Sequence, residues 1–205
     1  MPPKNKFTNN DIIDAAFKIV REKGLDALTA RAIAEVLQSS TKPIYSQIES
    51  MEKVQEAIIA RLWELFFEYM TKPITGDAML DYFIGYVFFA LKEKHLFHCF
   101  YDERFTELHQ NYVEIYEKRF VELFSENHFY KSIPEQHKKS AALKGLISLH
   151  GFADMLAHSA RKEFVELRKD ENKIIEYLKN DYQQTLYMME ALKAYRKANP
   201  ELENN

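Results

Sequence analysis

The sequence predicts an all-α fold. Apolar residues recur three and four positions apart in run after run, and no stretch alternates with the two-residue period of a strand. The five glycines and six prolines fall mostly between those runs. Thr8 can cap a first helix over residues 9–23, with Asp11 three positions on completing a capping box. Ile12, Ala16, Phe17 and Val20 share one face of it, and Gly24 suits the position just past its end. Thr29 caps a second helix over 30–37, with Ile33, Val36 and Leu37 as its expected buried edge and Leu28 placed to staple onto Ile33. Gln38-Ser39-Ser40 form a turn, and a third helix runs from Thr41 to about Ile48. Pro43 falls in its first turn, where a backbone N–H has no intrahelical partner to lose.

Ser50 caps a long helix over 51–71 with the stripe Val54, Ile58, Leu62, Leu65 and Tyr69. The following text, dense in Phe and Tyr, is apolar nearly all round and predicts a central helix over 77–93 and a short one over 95–101. Further helices are expected over 103–126, from a Ser132-Ile133-Pro134-Glu135 start to about 160, and over 171–197.

Composition narrows the class. With 46% hydrophobic and 29% charged residues the 205-residue chain is globular, and its single cysteine excludes an intramolecular disulfide and suits the cytoplasm. The opening MPPKNKFTNND lacks the apolar core of a signal peptide, and no run approaches the ~20 apolar residues of a membrane span. Net charge is −3, but residues 1–48 hold seven Lys/Arg against five Asp/Glu, which leaves a weakly basic head on an acidic body. His95 and His98 beside Cys99 lack the second cysteine of a usual metal set, and adjacent helical residues point about 100° apart, so neither a metal nor a nucleophile–base pair is expected. No Gly-rich phosphate loop, nucleophile elbow or catalytic carboxylate pair appears, so neither an enzyme nor a cofactor is expected.

Residues 29–48 carry the strongest pattern, two short helices about a polar turn. A helix-turn-helix of this build places its second helix in the DNA major groove. Its N-terminus favours phosphate. Ser39, Ser40 and Thr41 can donate to phosphates, Lys42 supplies charge, and Tyr45 can bond the backbone while its ring packs on sugar. Gln47 has the paired groups that recognise adenine, and Pro43 can touch a thymine methyl. Thr29 and Arg31 would reach the backbone, with Lys4 and Lys6 in an arm along a groove. The alternative is a packed helical hairpin whose polar residues face water, in a ligand-binding or enzymatic protein that no longer binds DNA.

Residues 9–54 resemble the N-terminal domain of tetracycline-repressor (TetR) family transcription regulators. The resemblance rests on Ile12-Ile13-Asp14-Ala15-Ala16, Lys23-Gly24, Leu28-Thr29, Ile33-Ala34, Ser40-Thr41-Lys42-Pro43-Ile44-Tyr45 and Ser50-Met51-Glu52-Lys53-Val54. Three positions depart from it. The family usually has Gly at Gln38, an aromatic at Ile48 and Lys at Met51; Gln38 is expected to shift the turn, and Met51 removes a phosphate contact. The resemblance implies a DNA-binding domain over 1–50, an effector-binding and dimerisation domain over 51–205, and a repressor released from a palindromic operator by a small molecule. That molecule would change the separation of the two DNA-binding heads.

In the last helix Ile175, Leu178, Tyr182, Thr185, Met189 and Leu192 form a heptad seam. Ala141, Ala142, Gly145, Gly151, Ala153 and Ala157, with Leu149 among them, make the preceding helix narrow enough for close approach. Two such helices from each copy would form a four-helix bundle, as the resemblance also implies; the same stripe can instead pack within one chain. Tyr86, Phe89, Phe97, Phe100, Phe105 and Tyr112, with polar tips from His98, His109 and His150, are candidates to line an effector cavity or to fill a plain core.

Overall fold

The computed structural model describes residues 7–127, 131 and 133–199; it is 82% helical, and those residues contain no strand. In order, the helices are α1 (Asn9–Lys23), α2 (Ala30–Val36), α3 (Thr41–Tyr45), α4 (Met51–Thr71), α5 (Ala78–Lys92) and α6 (Lys94–Cys99). They continue as α7 (Thr106–Glu126), α8 (Glu135–His158), α9 (Lys162–Leu167) and α10 (Glu171–Ala198). The chain divides into two compact units. One comprises the described residues up to Tyr69 with Lys92–Tyr116, the other Met70–Leu91 with the described residues from Glu117 onward.

In the first unit the expected caps form. Thr8 and Asp11 make a reciprocal capping box at α1, and Thr29 Oγ1 accepts from Ala32 N at 3.0 Å. Ile12, Ala15, Ala16, Ile19 and Val20 are the buried face of α1, which packs against α2 and α6. Gly24 ends α1 at φ 83°, a conformation that demands glycine, and a Cβ there would stand 3.3 Å from the Nδ1 of exposed His95, whose ring would have to give by a few tenths of an ångström. Glu93, buried at the N-cap position of α6, receives Arg21 Nε at 2.7 Å and Tyr69 Oη at 3.1 Å, which ties α1, α4 and α6 together.

The hydrophobic stripes turn further than their spacing alone suggested. On α2 the buried residues are Ala30, Ile33 and Ala34, while Val36, expected in the core, is 41% exposed, because the helix stops there and its last turn faces outward. On α4 the core row is Val54, Ile58, Leu62, Phe66 and Met70, joined by Ile59 and Trp63; Leu65 and Tyr69 are only half-buried. A straight helix advances 400° in four residues, so a strict four-residue row drifts around its axis and a second row must share the burial.

Trp63 is the centre of this unit's aromatic core. Its ring meets Phe100 edge-on at 4.8 Å, Phe66 edge-on at 5.6 Å and Tyr112 stacked at 5.7 Å. Its Nε1 donates to His109 Nδ1 at 3.0 Å, so the proton of the buried imidazole sits on Nε2, which donates to the Cys99 carbonyl at 2.9 Å.

In the second unit α5 is buried along nearly its whole length, as an all-round apolar helix must be. Its one buried charge is explained by the preceding turn: Asp81 accepts from Thr75 N and Thr75 Oγ1, both at 2.6 Å. Burial opposes ionisation of Asp81, but those bonds and the N–H groups of Ile74 and Gly76 outweigh it and hold the carboxyl below the usual range.

Tyr182 on α10 receives Asn127 Nδ2 at 2.7 Å, and Phe152 on α8 stacks on Tyr177 of α10 at 5.0 Å. The short α9 is absent from the sequence-based expectation. Phe164 anchors it to Phe152, and the following Arg168 donates Nη1 to the carbonyls of Leu156, Ala157 and Ser159, closing the end of α8. The expected capping role of Ser132 and the arm lysines Lys4 and Lys6 lie outside the described residues.

Candidate nucleic-acid interface

The geometry of the helix-turn-helix follows from how α2 ends. Ser39 N donates to Ala34 O at 2.9 Å and Gln38 N to Glu35 O at 3.1 Å, the two bonds of a Schellman motif with Gln38 at its left-handed position. Gln38 has φ 50° and is the sole non-glycine with positive φ among the described residues. The turn therefore keeps the conformation that glycine favours, and the shift expected from Gln38 does not occur. A side chain in this region costs about 1–2 kcal/mol.

The turn delivers Ser40 as N-cap and then α3, whose Ile44 is buried between its neighbours, with Ile48 buried just beyond. Regular helix ends at Tyr45 rather than near Ile48. Bonds from Ser46 N to Lys42 O and from Ile48 N to Ile44 O carry the chain through a final irregular turn.

With Ile44 facing inward, helical geometry turns Lys42 and Tyr45 outward, and Tyr45 is 63% exposed. Ser40 is exposed; Ser39, Thr41, Pro43 and Gln47 are half-buried along the same edge. Thr29 is exposed but spends its hydroxyl oxygen on the α2 cap, and exposed Arg31 reaches Glu35 at 3.3 Å, which leaves its remaining guanidinium N–H groups at the surface. Just beyond Gln47, Asn9, Glu49 and Lys53 line a cleft of ≈ 470 Å³ floored by Ile13, Ile48, Val54 and Ala57. The interface is thus a polar, weakly basic edge standing on a buried aliphatic pair.

The candidate effector residues fall into the two units. Phe97, Phe105 and His109 are buried in the first, where Phe100 and Tyr112 join the Trp63 cluster; His98 is exposed. Burial holds His109 below the ordinary histidine pKa, against the raising effects of its bond to Cys99 and of Asp102. Tyr86 and Phe89 are buried in the second unit, where Tyr86 Oη meets half-buried His150 Nδ1 at 3.0 Å; burial lowers His150 as well, against the pull of Asp154. Trp63, which links three of the first set, carries no motif that would single it out.

Cys99 points into the core while neighbouring His98 faces out, its Sγ donates to His95 O at 3.2 Å, and burial pushes the thiol up to about 11. That is an inert thiol, not an activated nucleophile.

Of the residues expected at a pairing surface, Ala142, Leu149, Ala153, Leu178 and Tyr182 are buried by the chain's own packing, whereas Gly145, Ile175 and Met189 are partly exposed. The large apolar side chains left exposed stand beside them. On these two helices they are Leu143, Ile147 and Met155 of α8, and Tyr177, Tyr187, Met188, Leu192 and Tyr195 of α10.

Two short helices, α2 and α3, joined by a Schellman turn on an all-α chain have the arrangement of a helix-turn-helix. No protein-family model matches the chain. The chain is similar to an uncharacterized HTH-type transcriptional regulator, YobS, of Bacillus subtilis (strain 168), at 25% identity over 165 residues covering 78% of this chain and 84% of that protein. This similarity supports a transcription regulator. Among the described residues no helix is long and apolar enough to cross a membrane.

Proposed function

We propose that the chain is a DNA-binding transcription regulator of the TetR kind, acting as a homodimer that represses from a palindromic operator and is released by a small molecule. The reading head lies in residues 1–50 and the effector and pairing functions in 51–205. The observation that carries the reading is the outward aim of Lys42 and Tyr45 from a helix anchored by buried Ile44. The similarity to a named regulator over 78% of the chain supports it. In a gel-shift on the DNA upstream of its own coding region, the chain retards that duplex at physiological salt, and cognate small molecules release it. No retardation of that duplex beyond that of random DNA overturns the proposal.

Dimerisation is part of this reading, because one short recognition helix contacts too few bases for useful specificity. The support lies on α8, where Leu143, Ile147 and Met155 form a four-residue row with Gly151 between them, and Ile147 is 62% exposed. A Cβ at Gly151 meets nothing within 4 Å in the isolated chain, so the groove there is open to a helix from a second copy. Gly151→Leu accordingly improves helix propensity by about 1 kcal/mol while filling that groove. The variant is expected to fold with unchanged helicity and to sediment as a monomer at micromolar concentration; an intact dimer rules this surface out.

The effector reading is supported by the Tyr86–His150 pair, a hydrogen-bonded polar couple set among the apolar side chains of α5. An effector alters operator affinity only through unequal affinity for the two head spacings, and a coupling of about 1–3 kcal/mol changes it several-fold or more.

A further inference from the structure

We infer that Gln38 is a DNA-backbone contact, the residue at which the turn itself touches a phosphate. The inference rests on the reading of α3 as a DNA-contacting helix. Three observations carry it. Gln38 alone among the described non-glycine residues holds a positive φ, at the one position of the α2–α3 connection where glycine would sit without strain. Its side chain is exposed, and the carboxamide has no hydrogen-bond partner among the described residues, so no internal contact offsets the strain. Its neighbours in the turn and the helix start, Ser40 and Lys42, are also exposed, so the carboxamide stands at the head of the same polar edge.

A strained residue kept for an unengaged polar group points to a partner outside the chain. Around Gln38, Thr29 caps α2, Arg31 gives its Nε to Glu35, and Ser46 Oγ donates to Pro43 O at 2.8 Å, while Ser40 makes no cap bond and Lys42 is exposed, so the carboxamide joins a set of outward donors. A neutral amide N–H donating to a phosphate oxygen positions the protein on the duplex without reading sequence and releases no counterion.

The test uses the full chain and two duplexes, the DNA upstream of its coding region and a random sequence of equal length, titrated over a range of salt. Gln38→Gly relieves the turn and is expected to raise Tm by about 2–4 °C. The same change weakens binding to both duplexes about 3–10-fold with an unchanged salt slope. Gln38→Lys puts a cation at the same place and is expected to tighten binding at low salt and steepen the slope by about one unit per head.

A Gln38→Lys protein with wild-type affinity and slope overturns the inference, as does a Gln38→Gly protein that is more stable yet binds equally well. Either result leaves the regulator reading intact, whereas a wild-type chain that binds neither duplex removes both. A selective loss on the upstream duplex assigns Gln38 to base reading and overturns the backbone contact.

Discussion

Trp63→Ala is expected to remove about 3–5 kcal/mol of folding stability, the range for emptying a buried aromatic site. The ring is 3% exposed and touches Phe66, Phe100 and Tyr112, so its removal leaves a cavity that rigid aromatic neighbours cannot close. It also strips His109 Nδ1 of its donor, in a place water does not reach. Trp63→Phe separates the two effects: it keeps most of the volume and loses the hydrogen bond, at about 1–3 kcal/mol. Urea denaturation of the three proteins measures both steps, and equal midpoints for Trp63→Ala and wild type would show that the cluster is not core.

The same contacts set a pH dependence. Burial keeps His109 neutral to lower pH than in the unfolded chain, so the unfolded state binds its proton first as pH falls. Stability from this group is therefore full above the ordinary value of 6.5 and declines as pH drops below it, until the folded form protonates as well.

The second large effect is on DNA. Lys42→Ala and Tyr45→Ala should each leave Tm within a degree or two, since both side chains project into solvent and neither anchors α3. A charge-assisted bond to phosphate is worth about 1.5–3 kcal/mol, and the proposed dimer would lose it twice, so Lys42→Ala should weaken binding at least a hundredfold. That loss is uniform across sequences and lowers the salt slope by about one per head. Tyr45→Ala should weaken binding about tenfold per head and leave the slope unchanged, because no cation is lost. Fluorescence anisotropy across a salt series distinguishes the two. Unaltered affinity in both variants would mean that α3 does not face DNA.

Much of the first unit was legible because its signals are local. Thr8 with Asp11, Thr29 and Gly24 each satisfy or end a backbone within four residues, so helix limits there follow from adjacent side chains. What escaped depends on distant partners. The stripe Leu178–Tyr182 on α10 identifies a buried face, but periodicity does not say whether its cover is the same chain or a second copy; α5 Met79 and Asn127 supply that cover here. The candidate effector aromatics divide between two units for the same reason, as nothing in Phe89 or Phe100 names the helix each will meet. α9 was missed because six residues make too short a run to show a period, and its anchor, Phe164 on Phe152, spans separate helices. At Gln38 an uncommon residue suggested a changed turn. The two Schellman bonds outweigh the preference of one side chain, and the turn stands.

Cys99 makes the molecule its own reporter. The chain's only sulfhydryl lies buried at the last residue of α6, so a maleimide or aromatic disulfide reagent reads the opening of that segment and not the resting surface. The rate of labelling becomes a clock for local unfolding. A second cysteine placed on the outer side of α3 could then carry a fluorophore without competition from the native one.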